Sequence, residues 1–373
     1  MKRVHFFIDN LSIGGFQRLC LDQAYAFSEL GYSVAIHSLS MPPGPESRSF
    51  LLIEKDLIDL HGISIDYLSI GHLEQISKTR FILRSYERGD IWISHSLRAT
   101  AVIYIASRLL HKRFFFMTEI HQLPTLSAPI QRFRRFLYAQ LSPALVAYSE
   151  AVKKDWDTRV RNFPRFIRFI FDKPIEVIRN GIYLNRIPSM TDGQKSNMGS
   201  RLIFLGRNTG WKGLATFLTY AEHPSLSHFE LLLMLPEIDQ AFERQIFDRF
   251  GGRVEIAIGK SIASFSPREG DIHFYAAQYG GDARFIESIS LNCLEMAAAG
   301  VPSVVTASGL TTWNDLQNLG IFFECDWSDS ESTTNGILEV ARKRIATEDL
   351  EKIRAQISIA SNVHKIIQLN TDQ

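Results

Sequence analysis

The side chains that could do chemistry lie in a few short stretches of this chain. Glu287 and Glu295 stand eight apart in "FIESISLNCLEMAAAGVPSVV", ahead of an Ala-rich run and a Gly-Val-Pro turn into an apolar strand. Arg207 and Lys212 stand five apart in "LIFLGRNTGWKGLATFL", in a Gly-bearing loop between a strand-like and a helix-like run. A helix N-terminus offers free amide donors and a partial positive charge, so two cations beside it make an anion site suited to a diphosphate. The same two cations read about as well as solvated loop charges.

Other stretches carry weaker signals. In "DNLSIGGFQRL", Gly14 and Gly15 occupy the turn from the first strand to the first helix. The pattern is not G-x-G-x-x-G, so a nicotinamide cofactor is a poor fit. The pair either permits tight packing or lets a ligand approach the backbone. His95 and His121 each follow a strand-like run, where a histidine points toward a ligand more often than in mid-strand, although a hydrogen-bonded structural histidine is the commoner case. No carboxylate or histidine cluster at metal spacing accompanies them. The "DWD" at Asp155 to Asp157 falls in a charged helix-like stretch and reads as a solvated face rather than a metal site.

The elements that must position these residues alternate. "KRVHFFIDNLSIGGFQRLCLDQAYAFSELGYSVAIHSL" is a strand, a Gly loop, a helix stopped at Gly31 and a second strand, a βαβ unit that implies a parallel sheet. Strand-like runs recur at "DIWISH", "RFFFMTEIH", "ALVAYSE" and "IEVIRNG", and again, beyond a polar segment, at "RLIFLG", "FELLLML", "VEIAIG", "DIHFYAA" and "VPSVVT". The prediction is an α/β protein of two Rossmann-like, doubly wound parallel-sheet domains facing across a cleft. The first covers 1–184, a linker 185–200, and the second 201–350. A C-terminal helix from about 351 to 373 is expected to pack back on the first domain.

Bulk properties narrow the class. The 373 residues suit two domains, and a formal net charge of +1 argues against a nucleic-acid binder driven by global charge. Three cysteines with no close pair suggest neither a disulfide framework nor a thiolate metal site, and the expected compartment is the cytosol. No run of about 18 apolar residues predicts a membrane span. One region departs from neutrality. Across 131–171, nine basic residues face three acidic ones with Phe and Ile interleaved. That reads as an anionic-membrane patch, peripheral at the inner face of the plasma membrane, or as a solvated face over core phenylalanines.

Taken in order, "GGFQR", "VAYSEAVKKD", "VIRNGI", "GRNTGWKG" and the E-x7-E segment resemble the retaining GT-B glycosyltransferases of family 4, through nearly the whole chain. The resemblance implies a nucleoside-diphosphate sugar as donor, with UDP favoured and GDP or ADP as alternatives, and no metal or other cofactor. It implies a saccharide or lipid-linked saccharide acceptor in bacterial surface-polysaccharide assembly, and no nucleic-acid partner. By the same resemblance Glu287 faces the donor sugar and Glu295 accepts hydrogen bonds from the ribose. Arg207 and Lys212 clamp the diphosphate, Gly15 lies beside the donor, and His121 is the histidine near the reacting carbon. The donor loop is Glu287-Ser288-Ile289-Ser290-Leu291 where the family commonly has E-G-F-G-L, and Gln122 stands where Asp is usual. The added Cβ atoms narrow the approach to the backbone, so the sugar does not follow by analogy. Two further readings stand beside this one: a nucleotide-sugar epimerase of the same fold, and a catalytically silent subunit partnering another glycosyltransferase.

Overall fold

In the computed structural model, strand β1 (Arg3–Ile8) seeds the first sheet: its RVHFFI run is buried on both faces from Val4 onward, as parallel strands covered by helices require. The structure describes residues 2–42, 54–68, 71–111, 114–120, 136–165, 168, 173–188, 200–209, 212–277, 290–306 and 313–371. These fall into two units, one running to Tyr183 and resuming at Ile359, the other running from Leu184 to Ser358.

In the first unit β1 is followed by α1 (Gly15–Glu29), β2 (Ser33–Ser38), α2 (Lys55–Leu60), β3 (Ser64–Tyr67), α3 (His72–Arg84), β4 (Ile91–Ser94) and α4 (Leu97–Leu109). Then come β5 (Met117–Ile120), β6 (Ala144–Ala147), α5 (Glu150–Arg161) and β7 (Ile175–Val177). The seven strands are parallel in the order β3-β2-β1-β4-β5-β6-β7, with Phe6 opposite Ile36 on one side and Ile93 on the other. Alternation along β1 separates two layers. Phe6 meets Phe27 of α1 at 6.0 Å, while Phe7 stacks on Trp92 at 5.1 Å in a core with Leu83 of α3 and Val102 of α4. Gly31, at φ +82, ends α1 where a Cβ would be strained.

The second unit holds β8 (Arg201–Leu205), α6 (Leu214–Ala221), β9 (Glu230–Leu235), α7 (Gln240–Phe250), β10 (Val254–Ile258) and β11 (Ile272–Tyr275). It continues through α8 (Leu291–Ala298), β12 (Ser303–Thr306), α9 (Asn314–Asn318), β13 (Phe322–Cys325), α10 (Ser330–Ala341) and α11 (Thr347–Ile357). Its six parallel strands run β10-β9-β8-β11-β12-β13. Strand order therefore reverses between β1 and β4 in one sheet and between β8 and β11 in the other, and at such points open α/β sheets bind ligands.

The C-terminal segment differs from the single helix expected from about 351. It is two helices, α11 in the second unit and α12 (Ile359–Thr371) in the first, separated at Ser358, which is extended at φ −62 and ψ 133. The reason lies in the apolar pattern: in an unbroken helix Ile357 and Ile359 would project about 200° apart, yet each is buried in its own unit. Arg354 Nη1 ties α11 to the Ala298 carbonyl at 2.6 Å. The second unit also begins earlier than the expected 201, since Leu184–Arg186 already forms one of its turns.

A buried polar network anchors α12. Gln23 Nε2 donates to Asn362 Oδ1 at 3.0 Å and to Glu119 Oε1 at 2.8 Å, and Asn362 Nδ2 donates to the Arg179 carbonyl at 3.0 Å. His95 Nδ1 lies 2.8 Å from Glu119 Oε2. Burial opposes a charge on His95, but the Glu119 carboxylate, with Cys20 beside it, outweighs burial and raises the imidazole to about 10. His95 thus takes the structural of its two readings.

Candidate functional site

The second unit gathers its candidate residues at the carboxyl ends of β8 and β11, the neighbouring strands at which its order reverses. β8 leads through Gly206 into a turn in which the Thr209 amide donates to the Arg207 carbonyl and the Lys212 amide to the Thr209 carbonyl, both at 2.9 Å. Arg207 is exposed on this turn. Lys212 is buried at 8 % exposure, with Nζ donating to the Tyr275 hydroxyl at 3.3 Å and lying 5.3 Å from that ring's centroid. This places the ammonium beside an aromatic face.

Gly213 explains why this loop can sit so low over the sheet. Its φ is +84, and a Cβ added there would fall 2.1 Å from the Ala276 carbonyl oxygen, so only glycine brings the start of α6 against the end of β11. Gly213 is also the N-cap of α6, with no side-chain cap and no acidic residue in the first turn. A glycine N-cap supplies no side-chain acceptor to that turn, and a helix start of this kind favours an anion.

Helix α8 is fixed to the same strand end. Asn292 Nδ2 donates to the Leu205 carbonyl at 2.6 Å, and Ser290 is the N-cap without a side-chain cap bond. From Cys293 to Ala299 the residues are buried, most of them completely, so the Ala-rich run serves close packing of α8 on the sheet. One turn into α8, Glu295 Oε1 accepts from Arg186 Nη2 at 2.6 Å, and the two side chains are 7 % and 0 % exposed. Pairing to a guanidinium holds the carboxylate oxygens in place, as a group that receives a hydroxyl pair requires. Glu287, Ser288 and Ile289 lie outside the described residues, as does His121; Leu291 is buried in the first turn of α8.

In the first unit the loop after β1 is organised by Asn10, whose Oδ1 accepts from the Ser12 amide and from Gln17 Nε2, each at 3.1 Å. The two glycines then part in role. A Cβ on Gly14 would fall 2.2 Å from Gln17 Oε1, whereas a Cβ on Gly15 would meet nothing within 4 Å. A Cβ on Gly14 would have to displace only the end of the flexible Gln17 side chain, and Gly15 leaves open the approach to an α1 start that also lacks a side-chain cap.

Asp155, in the "DWD" stretch, pairs with Arg159 one turn on in α5 at 2.8 Å, an ordinary surface pair. Three residues not singled out in the sequence join the site: Arg186, Tyr275 and Asn292. Tyr275 was signalled by its place at a strand's carboxyl end, and Arg186 by being a lone cation in the apolar stretch "GIYLNRIP". Asn292 carried no such signal.

The fold is that of GT-B glycosyltransferases. Over 100 % of both chains it is similar to HepE of Anabaena in complex with UDP-glucose, with a TM-score of 0.73 at 14 % identity. It is similar to a glycosyltransferase from Rickettsia africae, with a TM-score of 0.70 at 18 % identity over 100 % of this chain and 98 % of that one. A lipopolysaccharide outer core galactosyltransferase, WaaB, aligns over 100 % and 99 % of the two chains with a TM-score of 0.61 at 11 % identity. No protein-family model and no curated protein sequence matches the chain.

Proposed function

We propose that the protein is a retaining glycosyltransferase that moves a sugar from a nucleoside-diphosphate sugar, UDP favoured, to a saccharide or lipid-linked saccharide in bacterial surface-polysaccharide synthesis. The carrying observation is the buried Lys212 beside the uncapped start of α6, with Arg207 on the same turn and Glu295 on the neighbouring helix. Glycosyl transfer builds positive charge at the anomeric carbon and negative charge on the departing diphosphate. Lys212, Arg207 and the α6 amides stabilise that leaving group as charge builds, so the reaction needs no metal for this task. Glu295, locked by Arg186, receives the ribose hydroxyls. Attack from the face that the diphosphate leaves, with a phosphate oxygen as base, retains the anomeric configuration. Work at the inner face of the plasma membrane suits a lipid-linked acceptor; among the described residues no helix is long and apolar enough to cross a membrane.

Thermal stabilisation by UDP, GDP, ADP, CDP and dTDP, each with and without EDTA, tests the reading. A ligand at about 100 times its dissociation constant adds about 2.7 kcal/mol. UDP is expected to stabilise with EDTA present. Silence from all five would overturn the donor site and favour the silent-subunit reading, and product linkage of inverted configuration would overturn retention.

A further inference from the structure

The two faces of the first sheet are charged unlike each other. Right-handed crossovers put α1 and α2 on one face and α3, α4 and α5 on the other, in accord with Phe6 meeting α1 and Phe7 meeting α3 and α4. The face of α1 and α2, joined by α12, carries charges of −1, −1 and +1 on its three helices. The opposite layer carries +2 on α3, +2 on α4 and +1 on α5, a net +5 in a chain whose total is +1.

Among the described residues, that basic layer also holds five of the nine large apolar side chains turned to solvent, with Leu30, Met41 and Leu60 elsewhere in the first unit. Leu73 and Phe81 on α3 are 84 % and 74 % exposed, Ile105 and Leu109 on α4 are 42 % and 51 % exposed, and Leu137 in the helical turn 136–140 is 40 % exposed. The described part of the second unit has one such residue, Phe247. The placement is not a packing accident on α3. Gln75, Thr79 and Leu83, four apart, are the buried stripe, and Leu73, Ser77 and Phe81 repeat it two residues earlier, about 200° round the helix and facing away from the core. The exposed cations Arg84 and Arg108 lie on the same two helices, with Lys78 paired to Glu74 at 3.1 Å.

We propose that the α3–α4 face docks on an anionic lipid bilayer, with Leu73, Phe81, Ile105 and Leu109 entering the interface and the cations reading the headgroup charge. An anionic bilayer is the occupant that answers both observations, since exposed apolar side chains on a net basic layer match acyl chains below a layer of negative headgroups. The sequence had placed such a patch at 131–171. Its described helix, α5, carries +1 and lies on the same layer, while five of the nine basic residues of 131–171 lie outside that helix. This inference deepens the membrane part of the proposed function and does not depend on the donor site.

Co-sedimentation of the full chain with phosphatidylcholine vesicles, and with vesicles containing about 30 % phosphatidylglycerol, tests it, with UDP-induced melting shifts measured in parallel. The wild type is expected to bind the anionic vesicles at least about tenfold more tightly, less so in high salt. The variant Leu73→Ser/Phe81→Ser should lose at least about tenfold of that binding, and Arg84→Glu/Arg108→Glu a similar amount, with the UDP shift unchanged. Phe247→Ser, in the other unit, should bind as wild type. Equal vesicle binding by the α3 variant would overturn the surface. No preference for anionic vesicles, or a dimer that the α3 variant dissolves without any vesicle binding, would overturn the occupant. The UDP arm reports separately on the donor site.

Discussion

Replacing Arg186 by Met should destabilise the second unit severely, and replacing Glu295 as well should restore much of the loss. The Arg186–Glu295 pair is 2.6 Å long with side chains 0 % and 7 % exposed. Removing one member of such a pair leaves the other charged and desolvated, which costs about 3 to 5 kcal/mol, whereas an apolar pair of similar volume is often neutral. For a domain of this size each kcal/mol moves the melting temperature by about 2 to 4 °C, so Arg186→Met should lower the second unit's transition by about 6 to 20 °C. Arg186→Met/Glu295→Leu should recover most of that, giving a coupling of at least about 2 kcal/mol in the thermodynamic cycle. The assay is differential scanning calorimetry of the four proteins. A single variant melting within about 2 °C of wild type, or a double variant showing the plain sum of the two single losses, would refute the buried-pair account. Under the proposed function the same pair also governs nucleotide choice. Wild type should bind UDP at least about tenfold more tightly than 2′-deoxy-UDP, the value of a hydrogen bond to a charged group; Arg186→Lys should keep the preference and Glu295→Gln should lose it.

Gly213→Ala forces a left-handed residue and drives a Cβ into the Ala276 carbonyl. The left-handed conformation alone costs about 1 to 2 kcal/mol and displacing backbone adds to it, so calorimetry should show a clear fall in melting temperature. Gly15→Ala, with open space around it, should leave melting unchanged while weakening nucleotide binding in a titration. Lys212→Ala should lower transfer at least about tenfold, since charge-assisted hydrogen bonds contribute about 1.5 to 3 kcal/mol; near-normal turnover would remove Lys212 from the mechanism. His95 is raised to about 10 in the fold, so its contribution is full below its unfolded value near 6.5 and is lost as pH rises toward 10. Stability should therefore fall by about 1.4 kcal/mol per pH unit across that window, and His95→Gln, measured by denaturant titration, should lack that slope.

Much of the scaffold was legible because it is local. Apolar runs such as RVHFFI and FELLLML, Gly31 after a periodic helix, and a polar stretch between two series of strands all follow from neighbouring residues. The Arg207–Lys212 loop was legible for the same reason: a strand, a glycine, a cation and a helix stand in order along the chain. The break at Ser358 was legible only in part: Leu350, Ile353 and Ile357 share one helical face and Ile359 and Val363 the opposite one, but which core each face meets is decided by the fold. His95 read as a site residue or, the commoner case, a structural one until Glu119, 24 positions away, was seen 2.8 Å from it.

By itself the sequence determined the α/β class, the two sheets and the loops in which ionic chemistry could lie, because hydrophobic period and turn chemistry act over a few residues. Tertiary structure alone decided that Arg186 locks Glu295 across 109 positions, that Gly213 must be glycine, and that one face of the first sheet is basic and apolar. These depend on which distant backbone or charge arrives beside a side chain, and desolvation and close packing set the outcome only once the chain has folded.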